Sequence, residues 1–445
     1  MGRLVNPLVR LAALALPLQA LPLALQPAEL FALPLIAVSL ARRWRAISRA
    51  PVALDYGVLV WTAAVLLAAA VAIARGVPPP GVGREAAVAV FLMFLYAAVR
   101  ALPADARRGA LRDLVISAAL ASALGAAGSA ASALGIETPL AFPADRPYPY
   151  LGHAPQARAL TPKPNMLASV AMLALVLLIS GAARFSPRAA AGLACVVSIG
   201  FAATFSKTVL PLAVALAVVW VLRSAGGRFT PPRLRAAGAA TLLAGLLYAA
   251  GSHLLLLPAS ADRRELQDEM FTSGAPLREW QLFGRRFVIL PTNYLFNKKS
   301  SLEAIRRTFP FGLGPGRHPS FTCVLQHERL YPATQWAGAP HSTYFGTPAE
   351  LGLSGTLGLV VLALAGFSTL RMRFAGGRRG TPLDVAAAGM AAAVLIEAIA
   401  TDVMHFRHYT WLLALFASGS GADEGTLAQR LEGGDADGGR EVQRA

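Results

Sequence analysis

The sequence predicts an all-α integral membrane protein that crosses the bilayer many times. Hydrophobic residues make up 55% of the 445 residues, charged residues only 15%, and the mean hydropathy is +0.52. Soluble domains usually carry about 25% charged residues. Uncharged apolar runs of about 20 residues recur along the chain, and each is long enough to cross a hydrocarbon core as a helix. A soluble enzyme, a fibrous protein and a disordered chain are therefore excluded.

Hydropathy predicts twelve spans, with both termini in the cytoplasm. The first two are short and interrupted by prolines, so eleven spans remain an alternative. The predicted spans are residues 11–25, 27–41, 53–74, 86–101, 113–135, 164–183, 189–205, 208–222, 236–257, 347–370, 382–401 and 406–419. They divide the chain into an N-terminal bundle of about nine helices (1–257), a large outer loop (258–346), C-terminal spans (347–419) and a tail (420–445). The tail is rich in Gly, Asp, Glu and Arg, which predicts disorder.

The net charge of +17 is concentrated in arginine clusters that alternate with the apolar runs. The clusters fall in every second predicted loop: Arg42, Arg43, Arg45 and Arg49; Arg100, Arg107, Arg108 and Arg112; Arg184 and Arg188; Arg223, Arg228, Arg233 and Arg235; Arg371, Arg373, Arg378 and Arg379. This alternation follows the positive-inside rule and predicts that these loops are cytoplasmic. No cluster belongs to a soluble domain, which argues against nucleic acid as a partner.

The large outer loop is predicted to carry short structured elements and an excess of positive charge. Residues 287–296 are apolar enough to lie at the membrane interface, residues 301–308 are predicted to form a short helix, and Gly312, Gly314 and Gly316 predict a tight turn. The loop holds eleven basic and seven acidic residues. Two interpretations remain open: a solvated loop with salt bridges, or a cradle for an anionic headgroup such as a diphosphate.

All seven histidines fall on or near the predicted outer side, either by chance because the outer loops are larger or because the outer face carries chemistry that needs a side chain titrating near neutral pH. They are His153, His253, His318, His327, His341, His405 and His408. His341 stands at the end of the large loop, directly before a predicted span. It is either a structural cap of that helix or a catalytic group, and its position favours catalysis.

Three further positions combine polar side chains with apolar surroundings. Asn165 begins a span after two prolines and could simply cap it. Lys207 lies in a short hairpin between two spans, where a charge is costly and suggests a function. Asp402 and Arg407 lie in the last outer turn, where a local ion pair between them is the simplest interpretation. The sequence shows no metal-ligand spacing, phosphate-binding loop, dinucleotide fingerprint or nucleophile elbow, so we expect neither a metal nor a cofactor.

Four sequence elements, in order, resemble the O-antigen ligase family and its relatives among O-antigen polymerases. They are residues 163–169 (KPNMLAS), 204–210 (TFSKTVL), 310–316 (PFGLGPG) and 341–355 (HSTYFGTPAELGLSG). The last is the most specific of the four. Residues 407–415 (RHYTWLLAL) are also similar to the last span of that family. The resemblance covers about residues 160–415, whereas the first 150 residues agree only in hydropathy.

The resemblance implies a metal-independent, GT-C-like glycosyltransferase of the bacterial inner membrane. Such an enzyme moves a glycan from undecaprenyl diphosphate to a sugar hydroxyl of lipid A–core, at an active site facing the periplasm. It implies His341 as general base and Arg285 or Arg286 as the group that stabilises the departing diphosphate; the spacing does not choose between the two arginines. Lys207, Arg307, Asn165 and Arg407 are the further candidates for diphosphate binding. The family often has Arg where this chain has Lys207.

Two other functions remain open. A polymerase of the same superfamily would use the same donor chemistry but join repeat units to one another. A transporter or flippase would also fit twelve spans, but it predicts repeated halves and ionisable residues near the bilayer midplane. In this sequence the ionisable residues crowd towards the predicted outer ends of the spans, which makes transport the weaker interpretation.

Overall fold

The computed structural model describes residues 2–17, 27–49, 52–142, 154–224, 231–258, 279–282, 284–331, 338–375 and 379–418. Within these ranges the chain is mostly helical, with fourteen helices and five short strands. The helices are α1 (Gly2–Leu14), α2 (Pro27–Arg49), α3 (Ala53–Ala74), α4 (Pro79–Arg100), α5 (Ala104–Ala133), α6 (Pro164–Ser180), α7 (Pro187–Ala203), α8 (Val209–Ser224), α9 (Pro231–His253), α10 (Asn293–Thr308), α11 (His318–His327), α12 (Thr343–Phe374), α13 (Pro382–Glu397) and α14 (Arg407–Ala417).

Four of the described helices, α3, α4, α5 and α12, are long and apolar enough to cross a membrane. The segments 29–39, α6, α7 and α8 are apolar but shorter. Each of the twelve predicted spans overlaps a helix, and α3 coincides with the predicted 53–74. The predicted first span, 11–25, overlaps only the end of α1, which runs from Gly2 to Leu14. Pro17 follows within three residues of that end, and proline disfavours helix at its own position and at the residue before it. Residues 18–26 and the predicted tail lie outside the described residues.

The structure adds β-sheet that the all-α prediction did not include. Strands β1 (Ala141–Phe142) and β2 (Gln156–Ala157) form an antiparallel pair. Strands β3 (Leu254–Pro258), β4 (Glu279–Leu282) and β5 (Arg285–Pro291) form an antiparallel sheet in the order β3-β5-β4. Strand β3 had been assigned to the end of a span and β5 to an interfacial segment. A short run of consecutive apolar residues has no periodicity that separates a strand from a helix, which explains the error.

The segment between α9 and α12 is anchored to the end of α9. The Thr292 N–H donates to the carbonyl of His253 (2.9 Å), and its hydroxyl donates to the carbonyl of Ser252 (2.6 Å). The helix predicted at 301–308 is confirmed as the end of α10, which begins eight residues earlier than predicted, at Asn293. Helix α11 was not predicted. The two hydrogen bonds of Thr292 fix the start of α10 against the end of α9.

Helix α6 lies at the centre of the described bundle. Its residues from Leu167 to Leu178 are all buried, so neighbouring helices surround it. Helices α3 and α12 pack through small residues: a Cβ on Gly57 would meet Ala365, and one on Gly358 would meet Ala64. Small residues let apolar helices approach closely. A rigid central α6 therefore holds Asn165, in its first turn, at a fixed place.

Candidate active site

His341 is positioned by the residues that follow it, and it is not the cap of α12. Ser342 is the N-cap: its side chain accepts from the N–H of Phe345 (3.5 Å), and its hydroxyl donates to the carbonyl of Ala398 (3.1 Å). His341 itself has a left-handed backbone, with φ of +48°. Such a conformation in a residue other than glycine costs about 1–3 kcal/mol and is often found at functional sites. The interpretation of His341 as a capping residue is therefore wrong.

The ring of Tyr294, in the first turn of α10, brings His341 and Lys207 together. The centroids of the His341 and Tyr294 rings are 5.5 Å apart, and Lys207 Nζ lies 4.8 Å from the Tyr294 centroid. The side chain of Asn165 hydrogen-bonds the Tyr294 hydroxyl and accepts from Ser206 Oγ (3.0 Å). The structure thus unites three of the predicted site residues, Asn165, Lys207 and His341, around a tyrosine that the sequence analysis did not single out.

Two more lysines belong to this site. Lys298 lies one turn after Tyr294 on α10, and Lys163 directly precedes α6; the charges of both act on His341. Lys207 Nζ donates to the carbonyl of Ser252 (3.3 Å). Within the described ranges, no carboxylate forms an ion pair with Lys207 or Lys298. We call His341, Tyr294, Lys207, Lys298, Lys163 and Asn165 the Tyr294 cluster.

The surroundings of the cluster disfavour positive charge on its titratable groups. Burial lowers the pKa of His341 to about 4, and the charges of Lys163, Lys298 and His318 act in the same direction, opposed by Asp402. Burial lowers the pKa of Lys207 to about 8; burial and then the charge of Lys207 lower that of Lys298 to about 8. At neutral pH, His341 is therefore neutral while both lysines are mostly protonated. No hydrogen bond to the His341 ring is formed by any residue that the structure describes.

The glycine-rich turn and the Glu-Leu-Gly of α12 form one backbone joint. The N–H groups of Leu313 and Gly314 donate to the carbonyls of Ala349 (2.9 Å) and Glu350 (2.8 Å), and the N–H of Leu353 donates to the carbonyl of Pro310 (2.8 Å). Gly352 interrupts the helix with φ of +63°, and a Cβ there would overlap the carbonyl oxygen of Pro310. The most specific sequence element therefore has a structural role that spacing did not reveal.

The same backbone joint also positions α11 and the residues that directly precede His341. The carboxylate of Glu350 accepts from the N–H groups of Gly316 (3.1 Å) and His318 (3.0 Å). The buried ring of His318 lies 3.0 Å from Ser301 Oγ through Nε2 and 3.1 Å from the carbonyl of Gly338 through Nδ1. Burial lowers the pKa of His318. His318 thus connects α10 and α11 to residues 338–340, which directly precede His341.

Arg285 and Arg286 lie away from the Tyr294 cluster. Both are exposed at the start of β5, where they pair with Leu282 and Gln281 of β4. Arg286 lies six positions before Thr292, and a strand rises ~3.3 Å per residue, so its Cα is about 20 Å from that of Thr292, the residue before α10. Among the described residues, neither arginine forms a hydrogen bond or ion pair with a member of the cluster. Lys163, Lys207 and Lys298 are the cations that the structure brings to the histidine.

Arg307 and Arg407 have carboxylate partners. Arg307 donates to both carboxylate oxygens of Glu328 (3.0 and 2.8 Å) and to Glu303 (2.7 Å) on the exposed side of α10. Arg407 forms an ion pair with Glu29 of α2. The predicted local pair between Asp402 and Arg407 is therefore wrong: the two side chains turn to different partners. Neither arginine adds an uncompensated charge to the cluster.

Asp402 instead pairs with a histidine beside a small pocket. His405 lies 3.2 Å from Asp402 and 2.9 Å from Glu85 of α4. These three residues and Glu350 line a small pocket together with Trp61 and other apolar residues. The charge of Asp402, and further that of Glu85, raises the pKa of His405, and His405 in turn lowers the pKa of Asp402. His405 is thus a cation held between two carboxylates.

Sequence reasoning overlooked Tyr294, Lys298 and Lys163 for different reasons. Tyr294 had been assigned to an interfacial segment, and Lys298 was one of eleven basic residues in its loop. The one available signal was their spacing of four residues, which places both on one face of a helix. Using that signal required knowing that α10 begins at Asn293. Lys163 lies in the KPNMLAS element, from which only Asn165 was predicted as a site residue.

The described residues contain no group of three or more His, Cys, Asp or Glu side chains that could hold a metal ion. In comparisons with known proteins, no family matches this chain and no curated protein is significantly similar to it.

Proposed function

We propose that this protein is a glycosyltransferase that uses a lipid diphosphate-linked donor. In the specific form of the proposal, it transfers a glycan from undecaprenyl diphosphate to lipid A–core at the periplasmic face of the bacterial inner membrane, like an O-antigen ligase. Its helices would form a GT-C-like bundle of about twelve spans. The observation that carries the proposal is a half-buried histidine without a described hydrogen-bond partner, next to two lysines, Lys207 and Lys298, that have no described carboxylate partner.

In the proposed reaction, His341 accepts the proton of the acceptor hydroxyl as its oxygen attacks the anomeric carbon of the donor sugar. A new C–O bond forms while the bond from that carbon to the diphosphate oxygen breaks. A single displacement of this kind inverts the anomeric configuration. The acceptor hydroxyl needs a neutral base at the moment of attack, and the free His341 is neutral above about pH 4.

The departing diphosphate develops negative charge, which a preorganised cation stabilises. We assign this role to Lys207, which shares the Tyr294 ring with His341, in preference to Arg285 and Arg286. The lysine charges lower the basicity of His341 in the free enzyme. A bound diphosphate offsets those charges and so raises the pKa of His341 towards the range in which a general base works well. Donor binding would then prepare the base.

The test is transfer by the purified protein from undecaprenyl diphosphate-linked glycan to rough lipopolysaccharide. We expect transfer by the wild type, an inactive His341→Asn variant and an active His327→Asn control, because His327 is an exposed residue at the end of α11. Since the proposal needs no metal, a chelator should leave the rate unchanged. Full activity of His341→Asn would remove His341 as the base.

The polymerase alternative uses the same donor site and differs in the acceptor. A deletion strain separates the two functions through its lipopolysaccharide. Loss of a ligase leaves bare core with carrier-linked polymer still present, whereas loss of a polymerase leaves core that carries one repeat unit. In the purified system, elongation of carrier-linked glycan without any transfer to rough lipopolysaccharide would favour the polymerase.

A further inference from the structure

We propose that Lys298 is a diphosphate-binding residue, which with Lys207 forms a two-cation subsite for the diphosphate of the lipid-linked donor. This inference rests on the proposed function and specifies which side chains hold the leaving group. Neither composition nor the sequence elements above distinguish Lys298 from the ten other basic residues of its loop.

The first observation is the state of the Lys298 ammonium group. Its Nζ is buried and has no hydrogen-bond partner among the described residues. An ammonium group has three donors, and removing it from water without a partner is costly. Lysines in such places are usually paired with an acid or bind a ligand. No described carboxylate forms an ion pair with Lys298. We therefore infer that the partner of its ammonium group is the anion of a bound ligand.

The second observation is the direction in which Lys298 lies. It follows Tyr294 by four residues in α10, which places both residues on the same face of the helix. Tyr294 carries Lys207 over its ring and His341 beside it. The positive charge of Lys207 acts on Lys298, and that of Lys298 acts on His341. The two ammonium groups and the imidazole therefore belong to one electrostatically coupled region on the Tyr294 side of α10.

The chemistry of that space fits a diphosphate better than a single carboxylate or phosphate. Two ammonium groups from separate elements repel each other unless an anion lies between them. A diphosphate offers two linked phosphate groups, so each ammonium can form a charge-assisted hydrogen bond with a different one. Lys207 is fixed by the hairpin between α7 and α8, and Lys298 by α10. The subsite would thus be held by the bundle on one side and by the segment between α9 and α12 on the other.

The neighbouring lysine provides a matched control. Lys299 is exposed, and its Nζ lies 5.6 Å from the centroid of the Phe296 ring. One residue further along a helix, a side chain points about 100° away, so Lys299 leaves the face of Tyr294. Lys298→Gln and Lys299→Gln remove the same charge from the same helix, but only the first removes it from the proposed subsite.

The experiment measures binding of inorganic diphosphate to the purified full-length protein in detergent by calorimetry. Losing a hydrogen bond to a charged group costs about 1.5–3 kcal/mol, which corresponds to an affinity loss of about 10- to 100-fold. We expect that loss in Lys298→Gln, wild-type affinity in Lys299→Gln, and partial affinity in Lys298→Arg. A thermal melt establishes that each variant is folded, and Lys298→Arg keeps the test valid should the Gln variant fail to fold.

The outcomes separate the subsite from the proposed function. Equal affinity of the wild type and folded Lys298→Gln, or equal affinity for inorganic phosphate and diphosphate, overturns the subsite even where glycan transfer is observed. Diphosphate binding that depends on Lys298 supports the subsite. If that binding is found without any transfer from carrier-linked glycan, the subsite stands and the proposed transferase reaction fails. A competition experiment adds lipid vesicles containing phosphatidylglycerol to the diphosphate-binding assay. If these vesicles displace inorganic diphosphate at equal phosphate concentration, the site binds a lipid headgroup and the diphosphate assignment is overturned.

Discussion

His341 and His405 are the same residue type in opposite electrostatic surroundings. His405 lies between Asp402 and Glu85, and these carboxylates raise its pKa. His341 lies between Tyr294 and a set of lysines, and burial together with the lysine charges lowers its pKa to about 4. Asp402 contacts the hydroxyl of Thr343 (3.4 Å), two residues after His341, so the two environments adjoin in the fold.

The comparison separates a histidine that holds the structure together from one that is available for chemistry. The charge of His405 is matched by the protein itself: its ion pair with Glu85 joins α4 to the turn before α14, and its ion pair with Asp402 lies within that turn. Around His341 the protein supplies cations but no described counterion for Lys207 or Lys298. A site with unmatched charge is completed by a ligand of opposite sign, whereas a matched one needs none.

The largest expected effect is on turnover at His341. His341→Asn should lower the transfer rate by about 10²- to 10⁴-fold, because Asn cannot accept a proton at neutral pH. Since Ser342 caps α12, the thermal stability of the variant should change little. The measurements are the rate of transfer and the melting temperature. If His405→Asn lowers the transfer rate as strongly as His341→Asn does in equally folded proteins, the two histidines do not have the separate roles proposed here.

The next effect concerns Lys207. Lys207→Gln should lower the transfer rate by about 10²- to 10³-fold, since a preorganised charge opposite the leaving group is lost. Replacing Arg285 and Arg286 together with Gln should cost less, because these residues start about 20 Å from α10. Transfer rates of the two variants decide the order. A double arginine variant that is inactive while Lys207→Gln is active would return the leaving-group role to the arginines.

The pH dependence of the transfer rate tests the protonation state of His341. A base must be neutral, so the rate at limiting donor should persist on acidification and fall only as pH approaches about 4, the pKa of free His341. The charge of Lys298 lowers that pKa, so Lys298→Gln should move the acid limb of the profile to higher pH. Profiles of wild type, Lys298→Gln and Lys299→Gln test this. An acid limb that stays in place in Lys298→Gln would mean that Lys298 does not act on the base.

His405 should affect stability rather than rate, and by a smaller amount. Its folded pKa is raised, so its ion pairs stabilise the protein fully below about pH 6.5, the pKa of an unperturbed histidine, and are lost as pH rises through the folded pKa. Half-exposed ion pairs contribute about 0.2–1 kcal/mol each. His405→Gln should therefore melt earlier than wild type at pH 6, and the difference should shrink in alkaline buffer. A constant difference at all pH values would contradict this role.

Arg307 provides the smallest expected effect. Its ion pairs with Glu303 and Glu328 are on an exposed face of α10. Arg307→Gln should leave both the transfer rate and diphosphate binding at wild-type values, since water replaces the lost contacts. A strong loss of diphosphate binding in this variant would show that the anion site extends beyond the face of Tyr294.

Local sequence was sufficient for the positions of the long helices and of the glycine turn. The predicted span 53–74, in which Asp55 is the one charged residue, coincides with α3, because a long apolar run has few ways other than a helix to pair its own backbone away from water. Gly312, Gly314 and Gly316 all have positive φ, as a tight turn requires. Sequence failed at β3 and β5, whose pairing joins residues 29 to 37 positions apart.

The sequence alone predicted His341, Lys207 and Asn165 as site residues, since each combines a polar side chain with an apolar context. Only the tertiary structure decided which cations accompany the histidine. Lys163, Lys207, Lys298 and His341 come from four separate segments: Tyr294 contacts Lys207 and His341, and the charges of Lys163 and Lys298 act on His341. Spacing along a chain constrains distance only within a single helix or strand. Convergence of distant charges therefore depends on how the helices pack, which no local pattern encodes.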